Sequence, residues 1–296
     1  MSENAIAVQN LVRKFGKTVA VDHVSLQVKK GSIYGFLGEN GAGKTTTIKM
    51  MLGLLKPTEG SIEVLDFNPI KDAVDIKKRV GYVPEDQTMY NWMTVSEICS
   101  FTGSFYPTWN KKLADDLLTR FDLPKSKKIK TLSRGMQAKV MLTLALAHEP
   151  QLLILDDPTS GLDAIVRREF LESVVDLIQQ EGRTVFFSSH IINEVERVSD
   201  YIGIIHCGKM VIETDLEQLK QQTKKIRLIF ESTPPDAGTF SGLLKSEKSA
   251  HELVLTIADY TAQKLTELQN RFQAKSAEVA DLSLEDIFVE YCRKKN

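Results

Sequence analysis

Eight residues constrain this chain more than any others: Gly38-Glu39-Asn40-Gly41-Ala42-Gly43-Lys44-Thr45. They sit between the apolar run Ile33-Tyr34-Gly35-Phe36-Leu37 and a helical segment through Met50-Met51-Leu52 that Gly53 and Pro57 stop. A strand turning through glycines into a helix points successive backbone N–H groups into one concavity. The helix adds the positive end of its dipole. Such a cradle fits the phosphates of a nucleotide. Lys44 is expected to reach the β- and γ-phosphates, and the Thr45 hydroxyl to bind Mg²⁺. Gly38, Glu39, Asn40, Gly41, Ala42, Gly43, Lys44, Thr45 and Thr46 are the candidate nucleotide-binding residues.

The second constraint is Leu152-Leu153-Ile154-Leu155-Asp156-Asp157-Pro158, a continuous apolar strand tipped by two carboxylates. In a parallel sheet such runs are buried on both faces, and ligand crevices form at the strand ends. Asp156 is expected to hold Mg²⁺ and Asp157 to polarise the attacking water as general base. Thr184-Val185-Phe186-Phe187 reads as another buried parallel strand, while Ala5–Val8 and Ser25–Val28 alternate as half-buried strands. Residues 88–150 read as helical: Thr94 with Glu97 forms a capping box, and Lys111 to Phe121 has helical apolar spacing. Met50 and Met51 read as core. The expected class is α/β, with strands and helices alternating around a covered sheet. Beyond about residue 218 the pattern changes. Strands at 226–230 and 253–257, a helix at 260–272 and a last helix capped by Ser283 with Asp286 predict a small C-terminal α+β appendage. The expected domains are 1–218 and 219–296.

Composition narrows the function. The 296 residues carry 38 Lys+Arg against 39 Asp+Glu, a net charge of -1, which argues against a broad nucleic-acid surface. Cys99, Cys207 and Cys292 lack metal-ligand spacing, and their scattered, odd number fits a reducing cytosol. The start, Met1-Ser2-Glu3-Asn4, reads as no signal peptide, and the longest apolar stretch, Val140 to Ala147, is too short to span a membrane.

With these motifs goes a resemblance to the ATPase subunits of ABC (ATP-binding cassette) transporters over about residues 4–216. Leu132-Ser133-Arg134-Gly135-Met136-Gln137 is similar to that family's Leu-Ser-Gly-Gly-Gln signature. Ser160-Gly161-Leu162-Asp163 resembles its D-loop, Ser188-Ser189-His190 its switch histidine, and Gly81-Tyr82-Val83-Pro84-Glu85 its Q-loop. Phe15 stands where the family stacks an aromatic ring on adenine. The resemblance implies a P-loop NTPase cassette with a mixed sheet core and a helical subdomain. It assigns the nucleotide held by residues 38–46 as ATP. It implies two cassettes sandwiching ATP, with Ser133, Arg134, Gly135 and Met136 of one chain facing the nucleotide of the other. His190 would contact the γ-phosphate and Glu85 would lie near Mg²⁺. Glu213 to Leu219 and Leu282 to Phe288 resemble the tails of ABC-2-type exporter ATPases, and Phe105-Tyr106-Pro107-Thr108-Trp109 resembles the bacterial Ytr-type branch.

Three departures stand out. Asp157 replaces the family's Glu, shortening the base by one methylene; Glu85 replaces Gln; Arg134 and Met136 replace two signature residues. Tyr90, Trp92, Phe101, Phe105, Tyr106 and Trp109 read first as the core of the helical subdomain, and second as a groove for a partner's coupling helix. The run Lys125 to Lys130 reads as a solvated loop. The expected protein is a motor subunit with ATP and Mg²⁺, a separate transmembrane permease and a second ATPase subunit as partners. Nucleic acid is not an expected partner, and the location is cytoplasmic, peripheral on the inner face of the membrane. Two rivals remain: a soluble ABC-type ATPase acting on ribosome or DNA, and an ATP-dependent clamp with weak hydrolysis, which the shorter Asp157 supports.

Overall fold

A computed structural model describes residues 3–86, 88–179 and 182–293. The chain divides into two compact units, Met1–Glu213 and Thr214–Asn296. In chain order the first unit runs β1 (Asn4–Phe15), β2 (Thr18–Lys29), β3 (Ile33–Leu37), α1 (Lys44–Met51), β4 (Glu59–Val64), α2 (Ala73–Arg79) and β5 (Val80–Val83). It continues through α3 (Val95–Gly103), α4 (Lys111–Arg120), α5 (Arg134–Leu146), β6 (Leu152–Asp156), α6 (Ala164–Gln179), β7 (Thr184–Ser189), α7 (Ile192–Val198) and β8 (Tyr201–His206) to β9 (Lys209–Asp215), whose last two residues belong to the second unit. Among the described residues, β2-β1-β4 form an antiparallel sheet, and the larger sheet has the order β5-β6-β7-β3-β8-β9.

The larger sheet positions the site. Its central pairs are parallel, with Leu37 opposite Ser189, Asp156 opposite Ser188 and Val83 opposite Leu155. Four strands therefore end at one level, and Gly38, Asp157, His190 and Pro84-Glu85 leave the sheet side by side. Every residue of β3, β6 and β7 is buried, as continuous apolar runs in parallel sheets require. Inside, Phe186 stacks on Tyr34 at 5.5 Å and meets Phe36 at 5.3 Å. Met50 and Met51 are fully buried in the same core.

The helices of the middle segment start on side-chain caps. Thr94 accepts from the Glu97 N–H while the Glu97 carboxylate accepts from the Thr94 N–H; Asn110 caps α4 and Ser133 caps α5. The aromatic cluster corrects the first sequence reading. Tyr90, Trp92, Phe101 and Phe105 are exposed rather than core. Apolar spacing marks a helix face but not which neighbour covers it. Tyr90, Phe101 and Tyr106 instead border a groove of about 630 Å³ that has the buried His148 in its wall.

The second unit holds α8 (Leu216–Gln222), β10 (Lys224–Ile229), β11 (Leu243–Lys248), β12 (Glu252–Ile257), α9 (Ala262–Phe272), β13 (Ser276–Asp281) and α10 (Leu284–Arg293). Its antiparallel sheet has the order β11-β12-β10-β13. Ile226, Leu228, Leu253, Leu255 and Ile257 pack against Leu268 and Phe272 of α9 in a core of its own. The edge strands β11 and β13 have no counterpart in the sequence reading, because their residues are mostly polar and exposed.

Candidate nucleotide-binding site

The glycines of the loop have separate physical reasons. Gly41 has φ +82° and a Cβ there would meet nothing within 4 Å, so its backbone faces open space. Gly43, at φ +109°, lies so close to the Ala20 carbonyl that a Cβ would come within 2.6 Å. Asn40, Gly41 and Gly43 of the loop, with Lys44, Thr45, Thr46, Ala20, Glu85 and Asp157, line a cavity of about 370 Å³, whereas Gly38, Glu39 and Ala42 do not. A helix N-terminus opens onto it through Lys44, the first residue of α1.

Two carboxylates meet this loop from the end of β6. Asp156 Oδ1 accepts from the Thr45 hydroxyl at 3.2 Å and from the Ser188 hydroxyl at 2.8 Å. Asp156 Oδ2 is buried with no hydrogen-bond partner. Burial, ahead of the neighbouring charges of Asp157 and Glu85, pushes the Asp156 carboxyl above its ordinary range. A cation bound here would reverse that, because it favours the ionised form and gives Oδ2 a partner. The donor set, a hydroxyl and a carboxylate, is the hard-oxygen kind that Mg²⁺ takes.

Asp157 is the hub of the charged cluster. Its Oδ2 lies 3.1 Å from Lys44 Nζ, the two side chains being 3% and 5% exposed. Its Oδ1 is 2.8 Å from His190 Nδ1 and accepts from the His190 N–H at 3.1 Å. Lys44 Nζ also donates to the Gly38 carbonyl at 2.8 Å. Asp157 adopts φ +41°, an uncommon conformation for a residue with a Cβ, where the chain turns sharply off the strand. Its N–H is held by the Ser188 hydroxyl at 3.0 Å.

The remaining candidates fall into distinct surroundings. Glu85 is exposed at the rim of the loop cavity and also lines a neighbouring polar cavity with Asp86, Arg134, Gln137 and Ser160. Ser133, Gly135 and Met136 do not line the cavity around Lys44. The Ser133 hydroxyl accepts from the Met136 N–H at 3.2 Å, so it caps α5. Arg134 lies against Gly161, and Asp163 caps α6 by accepting from the Ile165 and Val166 N–H groups, both at 3.1 Å. Phe15 is half-exposed at the end of β1 with the Arg13 guanidinium 4.5 Å over its ring, outside the lining of the loop cavity. Sequence reasoning missed Ala20 and Glu194, and gave Ser188 no role of its own. Ser188 carried a faint signal, as a hydroxyl at a buried strand end level with Asp156.

A phosphate loop flanked by a carboxylate-tipped strand at the ends of a parallel sheet defines a nucleotide-binding protein of the P-loop class. A family profile described as "ABC transporter" matches residues 21–160. The chain is 34% identical to the bacitracin transport ATP-binding protein BcrA of Bacillus licheniformis, over 96% of each chain. It is 30% identical to the ABC transporter ATP-binding protein YtrB of Bacillus subtilis (strain 168), over 77% of each. A solved ATP-binding subunit of an ABC transporter superposes with a TM-score of 0.67 at 28% identity, over 74% of this chain and 92% of that one. The chain belongs to the ATP-binding subunits of ABC transporters. It binds nucleotide and is an ATPase of that family.

Proposed function

We propose that the chain is the motor of an exporter. It binds ATP with Mg²⁺, pairs with a second ATPase subunit around the nucleotide, and drives a separate permease from the cytoplasmic face of the membrane. Among the described residues no helix is long and apolar enough to cross a membrane, so transport would need a partner that does. The similarity to BcrA, whose name assigns it to bacitracin transport, supports a transporter that moves an antibiotic-like compound outward. The exposed aromatic groove bordered by Tyr90, Phe101 and Tyr106 suits a short helix of that permease. Ser133 and Gly135, at the start of α5 but outside the lining of this chain's own loop cavity, support a nucleotide contact made across the dimer.

The observation that carries the reading is the convergence of Lys44, Asp157 and His190 at the strand ends. Thr45 and Asp156 would hold Mg²⁺, which neutralises charge on the phosphates when bound. ATP competes with Asp157 for Lys44, leaving the carboxylate to align water. Asp157 takes the water proton as its oxygen bonds to the γ-phosphorus. The bond to the bridging oxygen breaks, and ADP leaves with the electron pair. His190, oriented through Nδ1 by Asp157, presents its other ring nitrogen to the γ-phosphate. Single-turnover hydrolysis in variants tests this. Asp157→Asn should lower the rate by about 10²-fold or more while ATP affinity stays within about threefold. Asp157→Glu should keep or raise it by restoring reach. Unchanged hydrolysis in Asp157→Asn would remove the base assignment, and background hydrolysis by the parent with a stable MgATP dimer would identify a clamp.

A further inference from the structure

Glu194 is an acidic residue in the interior beside the nucleotide site, yet it does not line the loop cavity. It lies in the first turn of α7 and is 3% exposed. Its Oε1 accepts from the Thr159 hydroxyl at 2.8 Å and its Oε2 from the Ser189 hydroxyl at 2.7 Å. Arg167 Nε lies 3.3 Å from Oε1, while Arg167 Nη2 donates to the Leu162 carbonyl at 2.9 Å. Thr159 is two residues past Asp157, Ser189 directly precedes His190, and Arg167 stands on α6 just after Asp163. One carboxylate thus ties together the turn behind Asp157, the strand end behind His190 and the start of α6.

A buried carboxylate is expensive to desolvate, and apolar packing could have joined these segments as well or better. What the carboxylate adds is direction: two short hydroxyl bonds and an ion pair aim three backbone segments at one group. Asp157 Oδ1 holds both the His190 ring, at 2.8 Å from Nδ1, and the His190 N–H, at 3.1 Å, and the short Asp157 side chain has little reach to correct an error. A displacement of about 1 Å at a reacting group costs on the order of 10²-fold in rate. We infer that Glu194 is a positioning residue for hydrolysis, holding the backbone segments of Asp157 and His190 at their working separation through Thr159 and Ser189. The inference rests on Asp157 and His190 acting at the γ-phosphate.

The test is turnover at saturating ATP measured beside equilibrium ATP affinity, on the full chain. Glu194→Gln keeps the volume and can hydrogen-bond both hydroxyls, but loses the charge facing Arg167. It should lower turnover about tenfold, with affinity within about twofold of the parent. Glu194→Ala should lower turnover about 10²-fold, so that the glutamine variant is a partial rescue. In an Asp157→Asn background Glu194→Gln should change turnover by less than about twofold, because the base it positions is already gone. A parallel fall of affinity and turnover in Glu194→Gln, or its full tenfold effect repeated in the Asp157→Asn background, would reduce Glu194 to a general packing role and overturn the inference. If Asp157→Asn by itself hydrolyses like the parent, the reading of Asp157 fails separately. The split between turnover and affinity in Glu194→Gln then decides Glu194 through His190 alone.

Discussion

Lys44 carries two interactions at once, and they pull its substitution in two directions. Its ammonium is the expected partner of the phosphates, and it is also the buried counter-charge of Asp157. Losing a charge-assisted contact to phosphate costs about 1.5–3 kcal/mol. Asp157 would keep only His190 as a partner, and breaking a buried pair costs up to about 3–5 kcal/mol of stability. Lys44→Ala should therefore weaken ATP binding by about 10- to 100-fold and also lower the urea midpoint. Adding Asp157→Asn should recover much of the stability and none of the affinity, since it removes only the stranded charge. Equilibrium binding and denaturation on both variants check this. At this scale the candidate site was legible as a set of motifs: Lys44, Thr45, Asp156, Asp157 and His190 each stand in a pattern whose residue types the proposed chemistry demands, and the structure brings them together. Glu194 was not legible, because a lone Glu at the start of a helix looks like any helix-dipole partner until burial is known.

At the scale of elements, the strand ends and helix caps follow from local chemistry, but the faces of the helices do not. Thr94 with Glu97 starts α3 as the capping pattern predicts. The segment just past α5 holds a less visible device. His148 is 2% exposed and stacks on Tyr106 with ring centroids 4.1 Å apart. Burial pushes its pKa below the ordinary histidine value, with the Arg183 charge acting the same way. Between that lowered value and about 6.5, the unfolded chain holds a proton that the folded chain refuses. Stability from this group is therefore complete above about pH 6.5 and declines as pH falls below it, with a slope of at most about 1.4 kcal/mol per pH unit. His148→Phe should flatten that acid limb and keep the stacking. Urea unfolding of both proteins from pH 5 to 7.5 measures the difference, and parallel curves would place the limb elsewhere.

For the whole molecule, the decisive question is which surface completes the nucleotide site. Ser133 lies outside the lining of its own chain's loop cavity, so a substitution there separates binding from assembly. Ser133→Arg should leave monomer ATP affinity within about threefold and abolish ATP-dependent dimerisation, because bulk and charge then occupy the proposed cross-dimer contact. Sedimentation and nucleotide binding on one sample test it, and joint loss of both would assign Ser133 to its own chain. The division into Met1–Glu213 and Thr214–Asn296 gives each unit a separate apolar core.

The sequence by itself determined the class of sheet, the glycine loop proposed to cradle phosphate and the charged residues of the candidate site. Those depend on short patterns: continuous apolar runs for buried parallel strands, glycines for a turn that aims N–H groups inward, carboxylates at a strand tip. Only the tertiary structure decided that Asp157 joins Lys44 to His190, that Asp156 keeps one oxygen without a partner, that Tyr90 and Phe101 face outward, and that Glu194 lies buried behind the site. These outcomes come from segments far apart in the chain meeting at the strand ends and between helices. Periodicity marks which residues share a face, whereas burial and charge pairing depend on what that face meets.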